Sequence, residues 1–134
     1  MKQISLRGRA YPTDLNHAGT VFGGWIMAKM DKAASIAVED IVNSGAVTVS
    51  VTDLHFLKPI RNGDIVTIYT EIIKIGNSSI QIDVDVMVRC RQSHEEYSVT
   101  NAIFTFVTVD ENRKSINVRD VIRHDIDKDV KKLL

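Results

Sequence analysis

Ile80, Ile82, Val84, Val86 and Val88 alternate with Gln81, Asp83, Asp85, Met87 and Arg89. Successive side chains of a strand point to opposite faces, so this run buries one continuous apolar face only as a β-strand. At about 100° per residue the same five residues would scatter around a helix. The neighbouring stretches fit beside it. Ile65–Ile75 reads as a strand, joined to the first through the turn "GNSS", Gly76 to Ser79. After the polar connection "CRQSHEEY" a further strand runs from Ser98 to Val109. Upstream, Val47, Val49 and Val51 open a strand expected to continue through "LHFL" to Pro59, and "RNGD", Arg61 to Asp64, reads as the turn that follows. Ile4, Leu6 and Ala10 give a weaker edge-strand pattern.

One segment has another period. From about Gly23 to Val42 the residues favour helix, rich in Ala, Met, Lys and Glu and free of proline, with Gly45 placed to end it. A helix of about 20 residues spans about 30 Å, and a strand of about 11 residues about 36 Å. These lengths suit an α+β fold in which a curved antiparallel sheet wraps one long central helix. A single helix cannot cover both faces of such a sheet, so a second subunit is expected to bury the remainder. The expected organisation is one domain over residues 1–115 and a C-terminal tail, 116–134, with a short helix.

Seventeen basic and seventeen acidic side chains balance, which argues against a domain devoted to the nucleic-acid backbone and leaves room for a local basic patch. No apolar run approaches the roughly 18 residues that span a bilayer, so no membrane partner is expected. Cys90 is the only cysteine and can form no disulfide within the chain. With no apolar N-terminal segment, that favours the cytoplasm. His55, His94 and His124 are isolated, His17 stands beside Asn16, where a direct role is the lesser expectation, and no pair of them shows metal-ligand spacing. Neither a metal nor a separate cofactor is expected.

Asp31 stands out within the helix. Stepping around the helix places Met27, Ala34, Val38 and Val42 beside it, while Lys29, Lys32, Glu39 and Asp40 gather on the other side. A carboxylate on the packed side needs a partner or a chemical role. The structural account pairs it with Lys32 or with a hydroxyl across an interface. The functional account makes it a general base or nucleophile. Gly23 and Gly24 strengthen the second, because amides at a helix start are open donors to an oxyanion. Asp31 lies eight residues past Gly23, about 12 Å along the axis. One helix cannot aim both groups at one carbonyl, whereas two antiparallel helices of a symmetric dimer can.

The loop Asn16-His17-Ala18-Gly19-Thr20-Val21-Phe22-Gly23-Gly24, followed by "WIMAKMD", resembles the "N-x-x-G-x-x-x-G-G" loop of hotdog-fold acyl-CoA thioesterases, in their YciA-like branch. The resemblance continues through "TDLHFLKPIRNGD", "IIKIGNSSI" and "VTNAIFTFVTVD". It implies a homodimer that assembles further as a trimer of dimers, and an acyl-CoA substrate. It also implies roles at the matching positions. Asp31 is the catalytic carboxylate, Asn16 positions the thioester or the water, Gly23 or Gly24 supplies the oxyanion donor, and Ser35 holds the water or orients Asp31. Gly76, Asn77, Ser78 and Ser79 lie near the nucleotide end of coenzyme A. Relatives often carry a basic residue where Asn77 stands, a departure that removes one phosphate partner.

From charge alone, Lys58, Arg61, Lys74, Arg89 and Arg91 are further phosphate candidates. Phe22, Trp25, Met27 and Met30 are candidates for an acyl pocket or for plain core. The rival readings are a non-catalytic acyl-CoA-binding hotdog protein and a dehydratase, which would need a histidine motif that "DLNHAG" does not resemble.

Overall fold

The structure is a computed structural model and describes residues 2–134. Strand β1 spans Gln3–Arg9, helix α1 Gly23–Glu39, β2 Gly45–Thr52, β3 Ile65–Ile75, β4 Ser79–Arg89 and β5 Glu96–Val109. The strands form one antiparallel sheet of order β1-β3-β4-β5-β2. Helix α1 packs against all five, the α+β arrangement that the alternating and helical periods implied.

The alternation that fixes the sheet is seen directly. Ile80, Ile82, Val84, Val86 and Val88 are wholly buried, while the residues between them are half-exposed. They meet Val66 and Ile68 of β3, Phe104 and Phe106 of β5, and Ile26, Met30, Ala33, Ala34 and Val38 of α1 in one core. β3 falls at the residues expected of it, and β5 begins two residues earlier than expected.

Three boundaries depart from expectation. α1 stops at Glu39 and not near Val42. The chain beyond it pairs with the tail: Asn43 N–H donates to Val121 O at 2.9 Å, Arg123 N–H to Ile41 O at 2.8 Å, and Val42 bridges Ile122. Gly45 therefore starts β2 and ends no helix. β2 stops at Thr52 and does not reach Pro59, because Asp53 takes a left-handed φ of 59°, which a strand cannot carry. The segment after it is held to β5 without strand geometry, by Leu57 N–H to Val99 O at 2.8 Å and Thr100 Oγ1 to His55 O at 2.5 Å. β2 also carries a register shift between Thr48 and Ser50. Val47, Val49 and Val51 therefore do not share one buried face: Val49 is exposed and Val51 packs on the core.

The tail is bound to the same core. Val118, Ile126 and Val130 are buried in it. It contains a 3₁₀ turn, Val118–Asp120, and one α-helical turn, α2, Lys128–Lys131. Arg119 reaches from the tail to Gly76 O at 3.2 Å and Leu134 O at 2.8 Å. A Cβ on Gly76 would stand 2.6 Å from Ser79 Oγ, so a larger residue there requires the Ser79 hydroxyl to turn away.

Ile82 tests the buried phase of the sheet. Ile82→Ala removes a wholly buried side chain and is expected to lower unfolding free energy by about 2–5 kcal/mol, read from the midpoint of urea denaturation.

Candidate active site

Asp31 lies on a seam of α1. Ala34 and Val38 on one side of it are buried, while Ala28 and Ser35 on the other are exposed. The carboxylate is half-buried, and Thr48 Oγ1 of β2 donates to its Oδ1 at 2.6 Å. Among the described residues no lysine or arginine lies within ion-pair distance of it, Lys32 included. The structural pairing with Lys32 is thus not realised. The hydroxyl that does meet Asp31 comes from the same chain and is not Ser35. Ser35 Oγ donates to Lys32 O at 2.7 Å, one turn back along its own helix.

Thr48 was not singled out in the sequence. A threonine within "VTVSV" is ordinary strand composition, and only the register shift of β2 and the position of α1 give it a partner. No local signal marks it.

Helix α1 opens without a side-chain cap, with Phe22 at the N-cap. Among the described residues no backbone or side-chain acceptor meets the amides of Gly23 or Gly24. The surroundings separate the two. A Cβ on Gly23 would come within 3.2 Å of Phe56, whereas one on Gly24 would meet nothing within 4 Å. Gly24 is the open position of the pair. Asn16 is engaged within its own loop, accepting from Ala18 N–H at 2.9 Å and Thr20 N–H at 3.3 Å and donating to Thr20 Oγ1 at 3.2 Å. His17 is exposed.

Two of the basic candidates, Arg61 and Arg91, meet at Asp64, which is 3% exposed, and Lys58 lies over the neighbouring Tyr97 ring. Asp64 accepts Arg61 N–H at 2.9 Å, Arg91 N–H at 3.4 Å and the Tyr97 hydroxyl at 3.5 Å. Burial, and then the charge of Asp64, hold the Tyr97 hydroxyl above its ordinary pKa, so it stays a donor. Lys58 Nζ lies 5.2 Å from the Tyr97 ring centre, within cation–π range. Gly63, at a φ of 85°, makes the turn, and the Arg91 side chain lies across it. A groove of about 320 Å³ connects Gly23, Phe56 and Lys58, and a bridge between Thr20 and Arg61 carries its wall toward the cluster. Arg89 ends β4 beside Ile65 and Glu96.

Gly76–Ser79 sits elsewhere. Its carbonyls are taken by protein groups: Gly76 O by Arg119, Asn77 O by Val118 N–H, and Ser78 O by Thr108. The turn and the Asp64 cluster stand at opposite ends of the β3–β4 hairpin, eleven residues apart along β3, about 36 Å. Asp31 is at the turn's end, since its partner Thr48 opposes Phe106, which opposes Ile80. The chain therefore carries a carboxylate half, with Asp31, Thr48 and Gly76–Ser79, and a donor half, with Gly23, Gly24, Lys58, Arg61 and Arg91. It does not bring the two together.

Among the described residues no cluster of three or more His, Cys, Asp or Glu could hold a metal ion, and no helix is long and apolar enough to cross a membrane. Cys90 is half-buried, and hydrogen bonds from Ser93 hold its thiol below the ordinary value.

Comparison with known proteins gives one consistent answer. A profile of the Thioesterase superfamily matches residues 18–90. An uncharacterized acyl-CoA thioester hydrolase of Haemophilus influenzae is 45% identical over 84% of this chain and 75% of its own length. The acyl-CoA thioester hydrolase YciA of Salmonella typhimurium is 37% identical over 84% and 86%. The crystal structure of HI0827, a hexameric broad specificity acyl-coenzyme A thioesterase, superposes with a TM-score of 0.84 at 40% identity, over 97% of this chain and 87% of that one. Built on one helix wrapped by a five-stranded antiparallel sheet, with a carboxylate on that helix held by a threonine hydroxyl and, among the described residues, open amides at its start, the chain belongs to the thioesterase superfamily.

Proposed function

We propose that the protein hydrolyses acyl-CoA thioesters to a carboxylic acid and free coenzyme A, at sites shared between two copies of the chain. Asp31 and Thr48 come from one copy, and Gly24 with the Lys58, Arg61 and Arg91 cluster from the other. The observation that carries this reading is Asp31 itself, a carboxylate held at 2.6 Å by a threonine hydroxyl on an open seam, with no cation among the described residues paired to it. A structural aspartate at such a place has no reason to remain unpaired.

The chemistry requires little else. Sulfur lends a thioester carbonyl little resonance, and a thiolate leaves readily. The free amide of Gly24 donates to the carbonyl oxygen and to the oxyanion that develops from it. Asp31 takes a proton from a water whose oxygen attacks the carbonyl carbon. The C–S bond breaks, and the CoA thiolate recovers that proton. In the other route Asp31 attacks directly, releases the thiolate and forms a mixed anhydride that water then opens. Label found in the Asp31 carboxylate after single-turnover hydrolysis in isotopically labelled water marks the second route, with water opening the anhydride at the Asp31 carbonyl. Neither route uses a metal or a cofactor, since coenzyme A belongs to the substrate. Asn16 shapes the loop that presents Gly23 and Gly24, and the hydroxyls of Ser78 and Ser79 are offered to the nucleotide.

The apolar exposure of the chain supports the pairing. Phe22, Met27, Val49, Phe56 and Leu57 surround the helix start and the β2 register shift, all of them exposed. An apolar patch of this kind marks an interface, and a twofold pair of chains would cover it from both sides. Higher assembly into a trimer of dimers agrees with the hexameric state of HI0827.

Thiol release from acyl-CoAs tests the reading. Asp31→Asn is expected to lower kcat about 10²–10⁴-fold. Thr48→Val is expected to lower it about tenfold to a hundredfold, the worth of one hydrogen bond to a charged group, and Ser35→Ala by less. Full turnover by Asp31→Asn sinks the proposal. Acyl-CoA binding by the unmodified protein without thiol release would favour the non-catalytic binder.

The sharing of sites is tested by mixing two inactive variants. Gly24→Pro removes an amide donor in the first helical turn, where proline is best tolerated. Reassembled with Asp31→Asn it is expected to restore roughly a quarter of native activity, since half the pairs are mixed and each mixed pair holds one intact site of two. No recovery, with mixed assemblies demonstrated by mass, shows that each chain works alone.

A further inference from the structure

Two grooves lie beside the proposed reacting groups, and they differ in charge. The one at the helix start carries Lys58 and leads toward Arg61. The other, about 380 Å³, opens between the C-terminal half of α1 and β2. Ser35, Val38, Ala46 and Phe106 form its walls, and it closes at the Asn43–Ser44 turn with Glu39 beside it. Glu39 is the one charged residue lining it.

This second groove begins one helical turn from the carboxylate. Ser35 lies one turn beyond Asp31 on the same side of α1. Ala46 lies two residues before Thr48 and so shares its face of β2. Phe106 is the cross-strand partner of Thr48. A thioester carbonyl in contact with Asp31 thus has the mouth of this groove on one side.

Charge decides which substituent enters. Coenzyme A carries its phosphates far from the sulfur and needs cations at the end of its path. The helix-start groove provides them, and the α1–β2 groove offers a carboxylate. We infer that the acyl substituent occupies the groove between α1 and β2, and that Glu39 makes the enzyme favour acyl groups with an uncharged distal end over those that end in a carboxylate. Val38, Ala46 and Phe106 give an alkyl chain an apolar floor. A terminal carboxylate entering the same groove would approach Glu39 and be repelled. Glu39 is exposed, so the repulsion is screened by salt.

The inference rests on the thioesterase reading, and one experiment separates the two. Hexanoyl-CoA and adipoyl-CoA have acyl chains of equal length that end in a methyl and a carboxylate. The readout is the ratio of their kcat/KM values, for the unmodified protein and for Glu39→Gln. At low ionic strength the unmodified protein is expected to favour hexanoyl-CoA, and Glu39→Gln to reduce that preference by about three- to tenfold, an effect that shrinks as salt is added. Ala46→Leu, which narrows the groove, is expected to depress kcat/KM for hexanoyl-CoA more than for acetyl-CoA. Ratios that are identical in the unmodified protein and both variants, with turnover intact, would overturn the groove assignment and leave the hydrolase standing. They would point to a loop of the second subunit or to the pantetheine arm as its occupant. No thiol release from any of the three substrates by the unmodified protein would overturn the hydrolase itself.

Discussion

The axial rise of α1 governs the rest of the molecule. Eight residues separate Gly23 from Asp31, about 12 Å along the axis. An oxyanion donor and a general base must both stand about 3 Å from the atoms of one carbonyl. No bend in a helix that begins at Gly23 and runs unbroken to Glu39 removes that distance. The sheet enforces the same separation on a larger scale, with the Gly76–Ser79 turn at one end of the β3–β4 hairpin and the Asp64 cluster at the other. Functional groups are thus sorted into unlike halves of one chain. The twofold axis of the proposed shared site, placed beside α1, would set the carboxylate half of one copy against the donor half of another and would yield two equal sites from one interface.

Asp64 shows how the donor half keeps its cations usable. A buried carboxylate beside two arginines would ordinarily be expected to bind their guanidinium groups. Here it binds their backbone amides and a tyrosine hydroxyl. It fixes where Arg61 and Arg91 leave the main chain while spending none of their side-chain donors. Those guanidinium groups remain for an anion, the geometry in which arginine is most effective.

The core of this arrangement was legible in the sequence, because β3, β4 and α1 are set by local periods. The alternation from Ile80 to Val88 needs no tertiary information, and neither does the apolar side of α1. What escaped depends on contacts between distant segments. The end of α1 is decided by Val121 and Arg123, about eighty residues downstream in sequence, and no cap residue near Val42 records it. β2 ends on the left-handed backbone of Asp53, in a run that otherwise reads as strand. Among the site residues, Asp31, Gly23 and Gly24 were visible because each breaks a local rule, a charge on an apolar side or glycines at a helix start. Thr48 breaks none. Lys58, Arg61 and Arg91 were visible as charges, but the meeting of Arg61 and Arg91 at Asp64 was not, since one lies on the β2–β3 connection and the other on the β4–β5 connection.

The difference between Thr48 and Ser35 follows from backbone type. A serine inside a helix has carbonyls three and four residues back within reach of its hydroxyl, and Ser35 uses the one at Lys32. Its proton is spent on the helix before Asp31 can receive it. A threonine on a strand has no such local acceptor, because its own backbone carbonyls point along the sheet. Its β-branch also restricts χ1, so the hydroxyl is aimed with little loss of entropy. The register shift between Thr48 and Ser50 keeps Thr48 facing α1 while returning Val51 to the core. One irregularity in an edge strand thus fixes the carboxylate in advance, and either role proposed for Asp31, base or nucleophile, gains from such positioning.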